Sequence, residues 1–184
     1  MRFLQGFVAL LAAGMLTCGG APVRAADQPA DGAHDFDFNL GVWKTHIKRM
    51  LEPLSNSGKF VELNGTVTVR KVWEGRAQLE EIDAEGPNSH LHGLTLFLYN
   101  PQARQWSQTF AASSDGMLEP PMVGAFKQGR GELYSQETYQ GRSILTRGVW
   151  SDIKADSHRF EISYSQDGGA SWSLAFSADL TRAK

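Results

Sequence analysis

Arg159-Phe160-Glu161-Ile162-Ser163-Tyr164 and Trp172-Ser173-Leu174-Ala175-Phe176-Ser177-Ala178-Asp179 decide the fold of this chain. In the first segment Phe160, Ile162 and Tyr164 alternate with Arg159, Glu161 and Ser163. In the second, Trp172, Leu174, Phe176 and Ala178 alternate with Ser171, Ser173, Ser177 and Asp179. Neighbouring side chains of a strand point to opposite faces, so a period of two predicts two strands, each with one buried face. Between them Gln166-Asp167-Gly168-Gly169-Ala170 offers the positive-φ residues that a tight hairpin needs.

The same plan runs backwards through the chain. Residues 42–50, 66–73, 76–84, 91–99 and 104–110 have strand length and composition, and 131–139 pairs with 142–153 around Gln140-Gly141. Glu74-Gly75, Asn100-Pro101 and Gly129-Arg130-Gly131 read as turns. Asn64-Gly65 is the strongest hairpin dipeptide and would join a short strand at 60–63 to the next. No window sustains a 3.6-residue apolar pattern, so helix is expected only as a turn near 35–40. An open sheet of eight to ten strands would leave unpaired edges, and closing it into a barrel removes them. The expected fold is therefore an all-β antiparallel meander closed into a barrel, with a two-sheet sandwich as the alternative.

The ends and the composition bound the function. Residues 1–25 read as an export signal: Arg2, an apolar run to Leu16, then Val23-Arg24-Ala25 as the cleavage site. A lipoprotein signal acylated on Cys18 is the competing reading, although Met15-Leu16-Thr17 fits it poorly. The expected location is periplasmic or secreted, with a flexible leader at 26–34 and one domain at 35–184. Removing 25 of 184 residues, Arg2 and Arg24 among them but no acid, takes the formal net charge from −2 to −4. A mildly acidic chain without a basic cluster argues against nucleic acid or an anionic membrane as partner, unless Cys18 is lipidated. The single cysteine lies in the expected signal, so the barrel would hold together by packing alone.

Phe38-x-x-Gly41-x-Trp43, ahead of a long meander, resembles the opening of the lipocalin-like (calycin) superfamily. The resemblance implies that Trp43 packs across the barrel base, with Arg182 near the end of the last strand stacked on it. Leu98-Tyr99-Asn100-Pro101 with Trp106, and Asp167-Gly168-Gly169 with Trp172, extend the likeness to a bacterial family of exported, lipocalin-like proteins of unknown function. That family implies a fold and no chemistry. Ser165-x-Asp167-x-Gly169-x-x-Trp172 also matches the Asp-box of sialidase propellers, but a single copy reads as hairpin chemistry.

Candidate site residues follow from parity. Lys71 shares a face with Val67, Val69 and Trp73; Glu81 with Ala77 and Leu79; His92 with Leu94, Leu96 and Leu98; Gln108 with Trp106 and Phe110. A few polar groups on an apolar wall are the usual build of a small-molecule pocket. The leading expectation is a non-enzymatic barrel holding a small, largely apolar ligand, with Lys71, Glu81, His92 and Gln108 as anchors and Trp106 and Phe110 as wall. Glu137 and Arg147 could join the set, their parity being unclear. The alternatives are an interior hydrolase or isomerase with Glu81 and His92 as acid and base, or a structural or protein-binding barrel with a filled lumen. Hydrolase, metalloprotease and phosphate-loop motifs are absent. His90 and His92 share a face but lack a clear third ligand, and His158 is the only histidine placed for haem; no metal or cofactor is expected.

Overall fold

The computed structural model describes residues 31–55 and 57–184. The expected signal, with Cys18, and most of the expected leader lie outside the described residues. Ten antiparallel strands follow one another around a closed barrel: β1 (Gly41–Met50), β2 (Phe60–Val72), β3 (Ala77–Gly86), β4 (Ser89–Asn100), β5 (Gln105–Ala112), β6 (Met122–Lys127), β7 (Arg130–Tyr139), β8 (Arg142–Ser151), β9 (Ser157–Ser165) and β10 (Ser173–Arg182). Each strand pairs with the next, and β10 pairs with β1, Trp43 opposite Arg182. The predicted meander barrel is the fold, and the only helical pieces among the described residues are two three-residue 3-10 turns, Asp37–Asn39 and Trp73–Gly75.

Several expectations change in detail. Asn64-Gly65 is not a hairpin but lies inside β2, which runs unbroken from Phe60 to Val72. Glycine is needed there for proximity: a Cβ on Gly65 would stand 2.0 Å from the Asp83 carbonyl oxygen on β3. β6, too short to show a clear period, was not expected as a strand. Trp73 does not share the inward face of Val67 and Val69, because it falls in the 3-10 turn with φ 51° and is 65% exposed. Along β10 the alternation breaks at a β-bulge between Leu174 and Phe176. A bulge inserts one residue and reverses the facing beyond it. Phe176 and Ala178 therefore join Phe160 and Ile162 inside, while Leu174 is exposed and Trp172 packs on the outer wall under the Arg147 guanidinium, 4.4 Å away.

The hairpin before β10 works as its sequence implies. Asp167 accepts from the Ser171 amide (2.9 Å) and hydroxyl (2.6 Å), and Ser165 Oγ accepts from the Gly169 amide (2.8 Å). The Ser171 hydroxyl and amide, with the Ser165 hydroxyl (2.7 Å), hold the Asp167 carboxyl well below the usual carboxylate range. The motif is a turn device here.

Candidate functional site

The barrel has one sealed end. At the base, where β1 begins and β10 ends, Trp43, Trp106 and Trp150 are buried with Phe36 and Phe97. Phe36 enters from the 3-10 segment and meets Phe97 at 4.7 Å, Trp106 at 5.1 Å and Trp150 at 5.5 Å between ring centroids. Such tilted and edge-on pairs stabilise by about 0.5–1.5 kcal/mol each beyond area burial. Each indole N–H has an acceptor: Trp43 the Asn39 carbonyl (2.7 Å), Trp106 the Gly32 carbonyl (2.8 Å), Trp150 the Gln108 side chain (3.0 Å). Asp31 and Gly32, from the stretch expected to be a flexible leader, thus supply carbonyls that Tyr99 and Trp106 bond.

Arg182 closes this end as the resemblance implies. Its guanidinium lies 4.0 Å over the Trp43 ring and donates to the Leu40 carbonyl (3.2 Å) and the Ala155 carbonyl (3.0 Å). Gly41 makes room for it: φ is +116°, and a Cβ would sit 2.8 Å from Arg182 Nη1. His158 is buried between Trp43 and Phe38 with neither ring nitrogen bonded. Burial, then the Arg182 charge, pushes its pKa down to about 4.

Register sets two inward rows that mix polar and apolar side chains, one within the plug and one above it. Val69, Glu80, Thr95 and Phe110 are consecutive partners on β2 to β5, as are Gln78, Phe97, Gln108 and Met122 on β3 to β6. Glu80 is a buried carboxyl that accepts from Thr95 Oγ1 (2.8 Å) and Asn39 Nδ2 (3.2 Å). Desolvation raises its pKa against those two hydrogen bonds. Asn39 Oδ1 and both polar atoms of Gln78 are without a protein partner.

The other end is open on one side. Where β1, β2 and β3 line it, Ile47, Leu63 and Ala84 are buried; on β4, β5, β7 and β9 the inward Leu91, Phe110, Ser135, Glu137, Ile162 and Tyr164 keep solvent contact. The cause is the shortness of β6. It pairs with β5 only from Trp106 to Gln108 and with β7 only as far as Tyr134, so the upper parts of β5 and β7 have no strand between them. The loop 113–121 stands in that gap, tied by the Glu119 amide to the Phe110 carbonyl (2.8 Å). At the rim a cleft of about 350 Å³ lies between Glu52, Leu54 and Ser55 on one side and Tyr139, Gln140 and Arg142 on the other.

This arrangement separates the six sequence-derived candidates. Phe110 alone lines the open part. Trp106 and Gln108 face inward as expected but belong to the plug, Gln108 as acceptor for Trp150. Lys71 sits at the base rim, 3.4 Å from Asp37. Glu81 and His92 face outward, contrary to expectation, because the inward parity of β3 and β4 belongs to Gln78, Glu80, Thr95 and Phe97. Nor are they partners: His92 stands opposite Asp83 and Glu81 opposite Leu94. His90 and His92 do stack on the outer wall at 5.4 Å, with His90 bonded to Asp83 at 2.7 Å. No group of three possible metal ligands exists among the described residues. Sequence reasoning missed Glu80, Thr95 and Thr146 as lumen polar groups, while Tyr164 faces inward with Phe160 and Ile162 as the alternation implies; of the two residues of unclear parity, Glu137 faces inward and Arg147 lies on the outer wall.

No family model matches the chain, and no characterised protein matches its sequence. Among solved structures it is similar to the S-type phycobiliprotein lyase CPES from Guillardia theta, with TM-score 0.55 and 12% identity over 81% of this chain and 90% of that one. At that identity the likeness shows the fold, a lipocalin-like barrel.

Proposed function

We propose that this protein is an exported barrel that holds a small, largely apolar molecule in the open half of its lumen. The observation that carries this reading is the asymmetry of the interior: inward side chains are sealed at the base and reachable by solvent along β4, β5, β7 and β9. A barrel that served only as packing would have no use for a one-sided opening above a fully plugged floor. Phe110, Ile144, Ile162 and Phe176 are the inward apolar side chains against which such a molecule would lie, with Thr146 and Tyr164 as the inward polar ones. A phycobiliprotein lyase with the same architecture supports a lumen that engages another molecule over one that is only filled. The interior Glu81–His92 acid–base pair loses its ground, since both groups lie on the outer wall.

Native mass spectrometry of protein purified from its own host tests the reading. The expected result is a mass above that of the chain by one small organic molecule, released on organic extraction and absent from the Phe110→Arg variant. A bare mass for the freshly isolated protein, together with no uptake of added apolar probes, counts against it. The same spectrum gives the mature N-terminus, and cleavage after Ala25 is the outcome expected for ordinary export.

A further inference from the structure

We infer that the open end of the lumen is a subsite for a protonated amine carried by an otherwise apolar ligand. The inference rests on the reading of the lumen as a ligand pocket and names the chemistry of one end of that ligand. Glu137 faces inward on β7, and Glu119 is carried by the loop 113–121, which is tied to the upper part of β5. Leu118 bridges Ala111, which sets Glu119 at the register position of the inward Phe110, while Glu137 accepts from the hydroxyl of Ser135, whose row continues through Thr146 to Tyr164. Like charge from Glu137 and Asp115 adds to desolvation in raising the Glu119 pKa. Arg49, whose register partner Phe176 places it on the inward parity of β1, donates to Ser89 Oγ on β4 (3.4 Å). The arginines of β8 are otherwise engaged: Arg147 lies over Trp172 on the outer wall, and Arg142 donates to Gln166 at the rim (3.2 Å).

A second feature points the same way. Thr146, 2% exposed, faces inward between Ser135 and Tyr164 in register, and its hydroxyl has no hydrogen-bond partner in the protein. Tyr164, its register partner on β9, is paired with Tyr139 at 5.5 Å between ring centroids, and Phe110 is the inward aromatic of β5. Carboxylates, aromatic faces and a free buried acceptor are together the surroundings that stabilise an ammonium group and disfavour a carboxylate. The apolar remainder of the ligand would then lie against Ile144, Ile162 and Phe176.

The test is calorimetric titration of the mature protein with four ten-carbon probes: decylammonium, decyltrimethylammonium, decanol and decanoate. Both ammonium probes are expected to bind at least tenfold more tightly than decanol, and decanoate most weakly. The Glu119→Gln/Glu137→Gln double variant should bring the ammonium probes to within about threefold of decanol, whose unchanged affinity reports an intact lumen. Glu74→Gln/Glu85→Gln, the same charge change on the outer surface, should leave the preference in place. Thr146→Val should weaken decylammonium several-fold and spare decyltrimethylammonium, which has no N–H to donate. Equal affinity for all four probes, or a preference that survives the Glu119/Glu137 change or falls equally in the surface variant, overturns the amine subsite and leaves the lumen reading standing. No binding of any probe overturns both.

Discussion

The two ends of this barrel are built from the same strands and differ in almost everything else. At the base, Trp43, Trp106, Trp150, Phe36 and Phe97 are each no more than 2% exposed, and the three indole N–H groups are bonded. At the mouth, side chains of the same inward parity meet water because β6 stops short and a loop takes its place. The base carries the aromatic packing, and the mouth is where we propose that a guest fits. The difference is enforced by strand length rather than by composition.

Substitutions should separate the two ends, most strongly in the plug. Trp150→Ala removes a buried ring that stacks on Phe160 and contacts Phe36, and leaves the Gln108 side chain without its donor. A loss of about 3–5 kcal/mol is expected, read as a collapse of the urea midpoint. Phe110→Ala at the mouth should cost much less stability and chiefly weaken ligand binding, which equilibrium unfolding paired with probe titration will show. Equal destabilisation by the two would erase the contrast.

The next largest effect is that of His158 on pH. Its folded pKa of about 4 lies below the ordinary 6.5, so the unfolded chain binds the proton first as pH falls. Stability is full above 6.5 and is lost towards pH 4, by at most about 1.4 kcal/mol per pH unit. In His158→Phe that acid slope should be smaller, as measured by unfolding between pH 4 and 7. Glu80 acts in the opposite sense. Its raised pKa means stability is greatest below the unfolded value of 4.5 and falls as pH rises through the folded one. Glu80→Gln should therefore raise the melting temperature at pH 8 and give no gain at pH 4; a destabilised variant at pH 8 would sink this view of Glu80.

Gly41→Ala gives a smaller but specific effect. Its φ of +116° and the 2.8 Å approach to Arg182 both oppose a side chain. A loss of about 1–3 kcal/mol is expected, together with a change in Trp43 fluorescence as the guanidinium leaves its ring.

The amino-acid sequence contains the fold because period two survives wherever one face is more apolar than the other, as at Phe160, Ile162 and Tyr164. It does not say which face is inside where the outer one is equally apolar. On β3 and β4 the outward Leu79, Leu94, Leu96 and Leu98 are larger than the inward Gln78, Glu80 and Thr95, which sit above a floor already filled by aromatic rings. Hydrophobicity alone therefore inverts the parity there and puts Glu81 and His92 in the lumen. Only the register with β2 and the hydrogen bonds from Asn39 and Thr95 reveal that Glu80 is the buried acid. Trp106 and Gln108 were legible as inward but not as plug, because the acceptor of Trp106 comes from Gly32, 74 residues away.

The sole cysteine of the chain is Cys18, so single reporter thiols can be placed in a Cys18→Ser background without interference. Ser135→Cys at the mouth and Thr45→Cys towards the base, both inward, compare the two ends directly by alkylation under native conditions. A sealed base and an open mouth predict that the thiol at 135 reacts at a rate approaching that of an exposed cysteine, while the thiol at 45 reacts only as fast as the domain unfolds. Equal protection of both, or faster reaction at 45, would contradict the account.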